Sequence, residues 1–183
     1  MVEIYIGSGI IAIVFCIFQM VVLATAIDMG YPAIDRTGSD GSGSTIVIKD
    51  NPANASGKIN KVEIWCDDNI PDCEVATFFV VSGNYLSTRD HEAIGTVVSG
   101  AKRTFTVDLD VEAGDYIGLY LGPGGNIDRS PSGGNIWRTF SSDDIPCENV
   151  EFSTGTIVIS LYATGATVEV AKKKNVIFMG SNF

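Results

Sequence analysis

RTFTVDLDVEAGDYIGLYL, residues 103–121, decides how the rest of the chain is read. Phe105, Val107 and Leu109 stand two apart, the period at which side chains return to one face of a strand. Glu112-Ala113-Gly114-Asp115 then supplies turn chemistry, because glycine tolerates φ > 0 and aspartate can bond its own backbone. From Tyr116 the chain resumes an aromatic and aliphatic strand. The reading is two strands joined through a turn, with no helical period.

Working outward, the same signature recurs. NIWRT (135–139) and TIVISLYA (156–163) follow it, and VEV and NVIFM add short strands near the end. AIGTVV (93–98) precedes it, joined through SGAK as a hairpin loop. CEVATFFVV (73–81) is an apolar run of the kind buried on both faces. KINKVEIW (58–65) alternates, with Ile59, Lys61, Glu63 and Trp65 on one face and Val62 and Ile64 on the other. TIVIK (45–49) is the first of the set. Eight or more short strands with turn signals every eight to twelve residues predict an all-β chain, a two-sheet antiparallel sandwich or jelly roll. Neither βαβ alternation nor an amphipathic helix pattern is present, which argues against an α/β enzyme fold.

Composition agrees. Of 183 residues 45% are apolar, enough for a substantial core, while only 19% are charged and 20 are glycine. The net charge of −10 comes from 22 acidic and 12 basic residues, and a field of that sign repels phosphate backbones. Nucleic acid is therefore not an expected partner. The one basic run, Lys172-Lys173-Lys174, is too short for a lipid or nucleic-acid patch.

Residues 10–23, IIAIVFCIFQMVVL, are followed by Ala24-Thr25-Ala26. Three readings stay open: a secretory signal cleaved before Ile27, a membrane anchor through residues 10–27 if uncleaved, or an apolar helix that joins an assembly. The missing Lys or Arg ahead of the stretch speaks against the first. All three place the remainder outside the cytosol: secreted, at a cell surface or on a virion. The organisation expected is 1–26 as export, anchor or assembly segment and 27–44 as a flexible Gly/Ser-rich stretch. A β-sandwich at 45–164 and a strand-like tail at 165–183 complete it.

Beyond Cys16, three cysteines remain, so one disulfide is the internal maximum: Cys66 with Cys73, or Cys73 with Cys147. No C-x-x-C pair accompanies His91, the only histidine, which argues against zinc. Asn54-Ala55-Ser56 is the single N-x-S/T sequon.

The stretch 103–121, an alternating strand led through a Gly-Asp turn into an aromatic strand, resembles β-sandwich modules of extracellular and viral surface proteins. Residues 28–164 are similar to uncharacterised sandwich domains in environmental and phage-related sequences. That resemblance implies a surface context and brings no activity, ligand or catalytic residue with it.

The residues that could carry chemistry are few. His91 lacks a nucleophile elbow, and Asp108, Asp110 and Asp115 are the carboxylates a glycan hydrolase would need, so no enzyme is expected. Asp67, Asp68, Asn69 and Asp72 gather enough oxygen ligands for calcium, the one possible cofactor. A glycan site would use the glycine-rich segment after Gly122, with Trp137 as platform and Asn126, Asp128, Arg129, Asn135 and Arg138 as hydrogen-bonding partners; against this, a tryptophan on a short strand more often belongs to a core or lies between sheets. Trp65 and Tyr116 are assigned to the core. NVIFMGSNF at 175–183 is a candidate donated strand. The function expected is a non-enzymatic surface or particle component, structural or adhesive, partnered by itself. The alternative is a carbohydrate-binding module for surface glycans.

Overall fold

The computed structural model describes residues 24–167. The expected apolar helix, Lys172-Lys173-Lys174 and the candidate donated strand lie outside the described residues. Within them all regular structure is β, with no helix. The strands are β1 (Ala26–Gly30), β2 (Gly38–Gly41), β3 (Ser44–Ile48), β4 (Gly57–Ile64) and β5 (Cys66–Asp68). Next come β6 (Ile70–Ser82), β7 (Tyr85–Val97), β8 (Arg103–Val111), β9 (Tyr116–Leu121) and β10 (Asn126–Ser130). The last are β11 (Ile136–Arg138), β12 (Val150–Glu151), β13 (Ser153–Gly155), β14 (Val158–Ile159) and β15 (Leu161–Ala166).

They form a four-stranded sheet in the order β1-β15-β4-β8 and a seven-stranded sheet in the order β12-β7-β6-β9-β3-β11-β13. A small third sheet, β14-β10-β2, has β5 paired to β10 as well. One core lies between the two large sheets. Ile27, Met29, Val62, Leu109 and Leu161 from the first meet Ile46, Val75, Ile117, Leu119 and Ile136 from the second. Each such side chain contributes about 1.5–3 kcal/mol on leaving water.

At the β7–β8 seam the sheets nearly close into a barrel without a ladder. The backbone N–H groups of Asp108 and Asp110 donate to the carboxylates of Glu92 (3.1 Å) and Asp90 (2.8 Å). Thr77 Oγ1 donates to the Asp110 carbonyl at 2.7 Å. Side chains thus satisfy an edge that would otherwise invite another strand.

The outer face of the seven-stranded sheet carries a second core. Val47, Ala76, Phe78, Leu86 and Trp137 are covered by Ile145 and Phe152, brought across by the irregular segment 139–152. Phe78 and Phe152 meet edge to face with centroids 6.1 Å apart.

Several elements depart from the sequence reading. Ile59 does not face away from Val62 and Ile64; all three are fully buried. The register of β4 slips between Ile59 and Lys61 against both β15 and β8, so a bulge at Asn60 resets the pleat. β7 extends back to Tyr85 through polar residues, because its pairing with β6 needs backbone groups and not apolar side chains. Its hairpin turns on Gly83 at φ 57°, the first central position, where L-residues are disfavoured. Residues 27–44, read as flexible, carry β1 and β2, and β1 buries Ile27 and Met29. TIVISLYA divides at the buried Ser160, whose hydroxyl donates to the Ile34 carbonyl at 2.6 Å.

The two ends of the described chain run together. Thr25 N–H donates to Thr167 Oγ1 and Thr167 N–H to the Thr25 carbonyl, both at 3.0 Å. Ala26, Ala166, Lys58 and Asp110 make one row across the four-stranded sheet, continued by Asp90 and Thr77 in the other. On the side of that row where Thr25 and Thr167 leave, the β6–β7 hairpin projects, exposing Val80, Val81 and Tyr85.

Candidate functional site

The residues proposed for a glycan site do not converge on one surface; each is engaged by a partner outside the set. Trp137 is 2% exposed. Its ring packs edge to face on Tyr116 at 4.9 Å, lies under Lys49 Nζ at 4.7 Å, and donates from Nε1 to Asn84 Oδ1 at 3.0 Å. No face is left for a sugar, so Trp137 is a core residue. Arg138 makes a bidentate pair with Asp40 (2.6 and 3.0 Å), and Arg129 donates from Nε to the Ser39 carbonyl. Asn126 donates to Asp68 (2.9 Å), and Asn135 bonds Asp50 through both its backbone and its amide. Asp128 is 2% exposed, accepts the Arg36 backbone N–H at 3.0 Å through Oδ2, and leaves Oδ1 unpartnered. Burial raises its carboxyl above the ordinary value, aided by the nearby charges of Asp67 and Asp35. These side chains clamp β2, β10 and β11 to the body.

Asp67, Asp68 and Asp72, expected to share calcium, are exposed and do not converge. Asp68 takes the Asn126 amide, and Asn69 Oδ1 accepts the Ser99 N–H. Among the described residues no group of three or more His, Cys, Asp or Glu is placed to hold a metal ion. Asp108 and Asp110 share Lys58 Nζ at 3.1 and 2.9 Å, whereas Asp115 is buried beneath the Arg89 guanidinium, so the three carboxylates face no common cleft. His91 is exposed on β7. Trp65 and Tyr116, assigned to the core, are half-buried.

The cysteines Cys66, Cys73 and Cys147 are free thiols. Cys73 belongs to the core between the sheets and Cys147 packs on the outer one, so the seven-stranded sheet separates them. Cys66 and Cys73 share one core; burial pushes the Cys66 thiol up to about 11 and raises Cys73 further.

A concavity with a different lining lies along β1. It is a half-open groove of about 500 Å³ floored by Met29 and Gly30. One wall is Tyr162 and Pro32; the other is the Asn51–Asn54 loop with Pro52. Tyr162 is half-buried and donates its hydroxyl to Asp28 Oδ2 at 3.3 Å. Burial first, and the Asp28 charge second, raise that hydroxyl above its usual value and keep it protonated. The loop is fixed to the strand by side-chain amides acting as peptide mimics. Asn54 accepts the Asp28 N–H (3.2 Å) and donates to the Ala26 carbonyl (3.1 Å). Asn51 donates to the Gly30 carbonyl (3.0 Å), and its own carbonyl accepts the Gly30 N–H (3.1 Å). Asn51 sits at φ 50°, a conformation asparagine tolerates better than most residues. The sequence reading missed this groove, because its walls come from residues 28–54 and from Tyr162, more than a hundred positions apart. The sequon at Asn54 was the single local signal.

No family model, curated protein or solved structure matches the chain.

Proposed function

We propose that the chain is a non-enzymatic component of an extracytoplasmic surface or particle, structural or adhesive in role. We read its packed sheets as a jelly-roll-like sandwich held through the end where Thr25 and Thr167 meet. One observation supports this reading: the Thr25–Thr167 clasp holds the two ends of the described residues side by side, and the sequence continues from them into residues 10–23 on one side and 176–179 on the other. Both stretches are strongly apolar in sequence. The exposed Val80, Val81 and Tyr85 lie toward the same end, which gathers apolar surface where contact with a membrane or a neighbouring subunit would be made. The acidic remainder suits display in solvent.

The test compares the full chain with residues 24–167 by multi-angle light scattering and by flotation with neutral phosphatidylcholine vesicles. The expected result is a defined assembly, or co-flotation, for the full chain, and a monomer that stays in solution for residues 24–167. A full chain that remains monomeric without detergent and leaves vesicles alone overturns the reading. Equal assembly by residues 24–167 would overturn the role given to the two end segments.

A further inference from the structure

We propose that the groove between Tyr162 and the Asn51–Asn54 loop is a binding site for a neutral saccharide. The argument begins with what the groove offers. A half-buried tyrosine ring and two prolines give rigid apolar surface on which a pyranose face can lie. Around it stand polar atoms with valences to spare. Asp28 Oδ1 and Asn51 Oδ1 accept no hydrogen bond among the described residues. The Asn54 amide uses one of its two N–H groups on Ala26. Acceptors and donors set around an aromatic wall match hydroxyl groups, which both give and take hydrogen bonds.

The second point is rigidity. Both asparagines are locked to β1 by paired hydrogen bonds, and Asp28 is fixed from its backbone by Asn54 and from its side chain by Tyr162. A site whose groups are already oriented loses little entropy when a small ligand binds. The volume, about 500 Å³, suits one or two sugar rings. Charge selects against the other candidates. The protein carries −10, and Asp28 is the only ionisable carboxylate lining the groove, so an anionic ligand is repelled. A cation would find amides and prolines where it needs further carboxylates.

The site is independent of the assembly reading above, since it uses none of the residues at the hairpin or beyond Thr167. The full-length protein, made in a host that does not modify the Asn54-Ala55-Ser56 sequon, is labelled and applied to an array of neutral mono- and oligosaccharides. Retention of at least one class of neutral glycan is expected. Tyr162→Ala should weaken it about ten-fold or more, the equivalent of losing one ring contact, and Asp28→Ala about three- to ten-fold. Asp28 is exposed, so its variant keeps the test open if Tyr162→Ala fails to fold; melting curves of both establish that. No retained neutral glycan, or retention unchanged in the folded variants, overturns the proposal, as would a preference for sialylated or sulfated glycans.

Discussion

Trp137 had two readings in the sequence, sugar platform or core residue, and the fold gives the core. Among glycines and arginines it had the setting of an exposed platform; in the fold it is the centre of the second core, with its N–H satisfied by Asn84. Trp137→Ala should therefore cost about 3–5 kcal/mol in urea unfolding, and a loss under about 1 kcal/mol would return the ring to the surface. Asp128 is the opposite case, a charge whose burial is poorly compensated. Its carboxyl is raised in the native state, so the native protein binds a proton more readily than the unfolded chain does. Its contribution to stability accordingly falls as pH rises through the window between the ordinary aspartate value and the raised one, and stays low above it. Asp128→Asn should flatten that dependence and leave stability at neutral pH equal or about 1 kcal/mol higher, measured by unfolding at pH 4.5 and 7.5. The polar residues near Trp137 were legible in the sequence, but their partners were not. Arg138 and Asp40 are 98 positions apart, and only the fold reveals that each consumes the other.

At the scale of elements, strands with side chains on a core face were legible and strands held mainly by backbone were not. β8 and β9 follow the period of two that residues 103–121 display. The first half of β7 is polar, and β2 is Gly-Ser-Asp-Gly, so neither announces itself through hydrophobicity. Nor could alternation foresee the bulge at Asn60, which requires knowledge of both neighbouring strands. The β1 edge gives an element-scale prediction. Asn54 occupies the donor and acceptor that a further strand would take. Asn54→Ala should cost about 1 kcal/mol or less of stability, yet produce concentration-dependent association in sedimentation velocity. A variant that remains monomeric at all concentrations would mean that the edge is protected by the loop backbone and not by the amide.

For the whole molecule, two cores share the seven-stranded sheet, and the thiols report on each. Burial raises all three thiols, but Cys66 and Cys73 are fully buried in the inner core, whereas Cys147 is half-buried within the outer segment. Iodoacetamide at pH 8 should alkylate Cys147 well before the other two, which should react only on global unfolding. Equal rates for all three, read by peptide mass, would show that the two cores open together. The clasp of Thr25 with Thr167 has a mechanical consequence. Because β1 and β15 are antiparallel and Thr25 lies beside Thr167, a pull that separates Thr25 from Thr167 loads the ladder one hydrogen bond at a time, peeling β1 away like a zip. A pull shared by both tails in the same direction never opens that seam. A body tethered by either tail alone, or by both to one support, therefore bears drag through the whole fold, whereas tails drawn toward two different supports would unpick it from Thr25 inward.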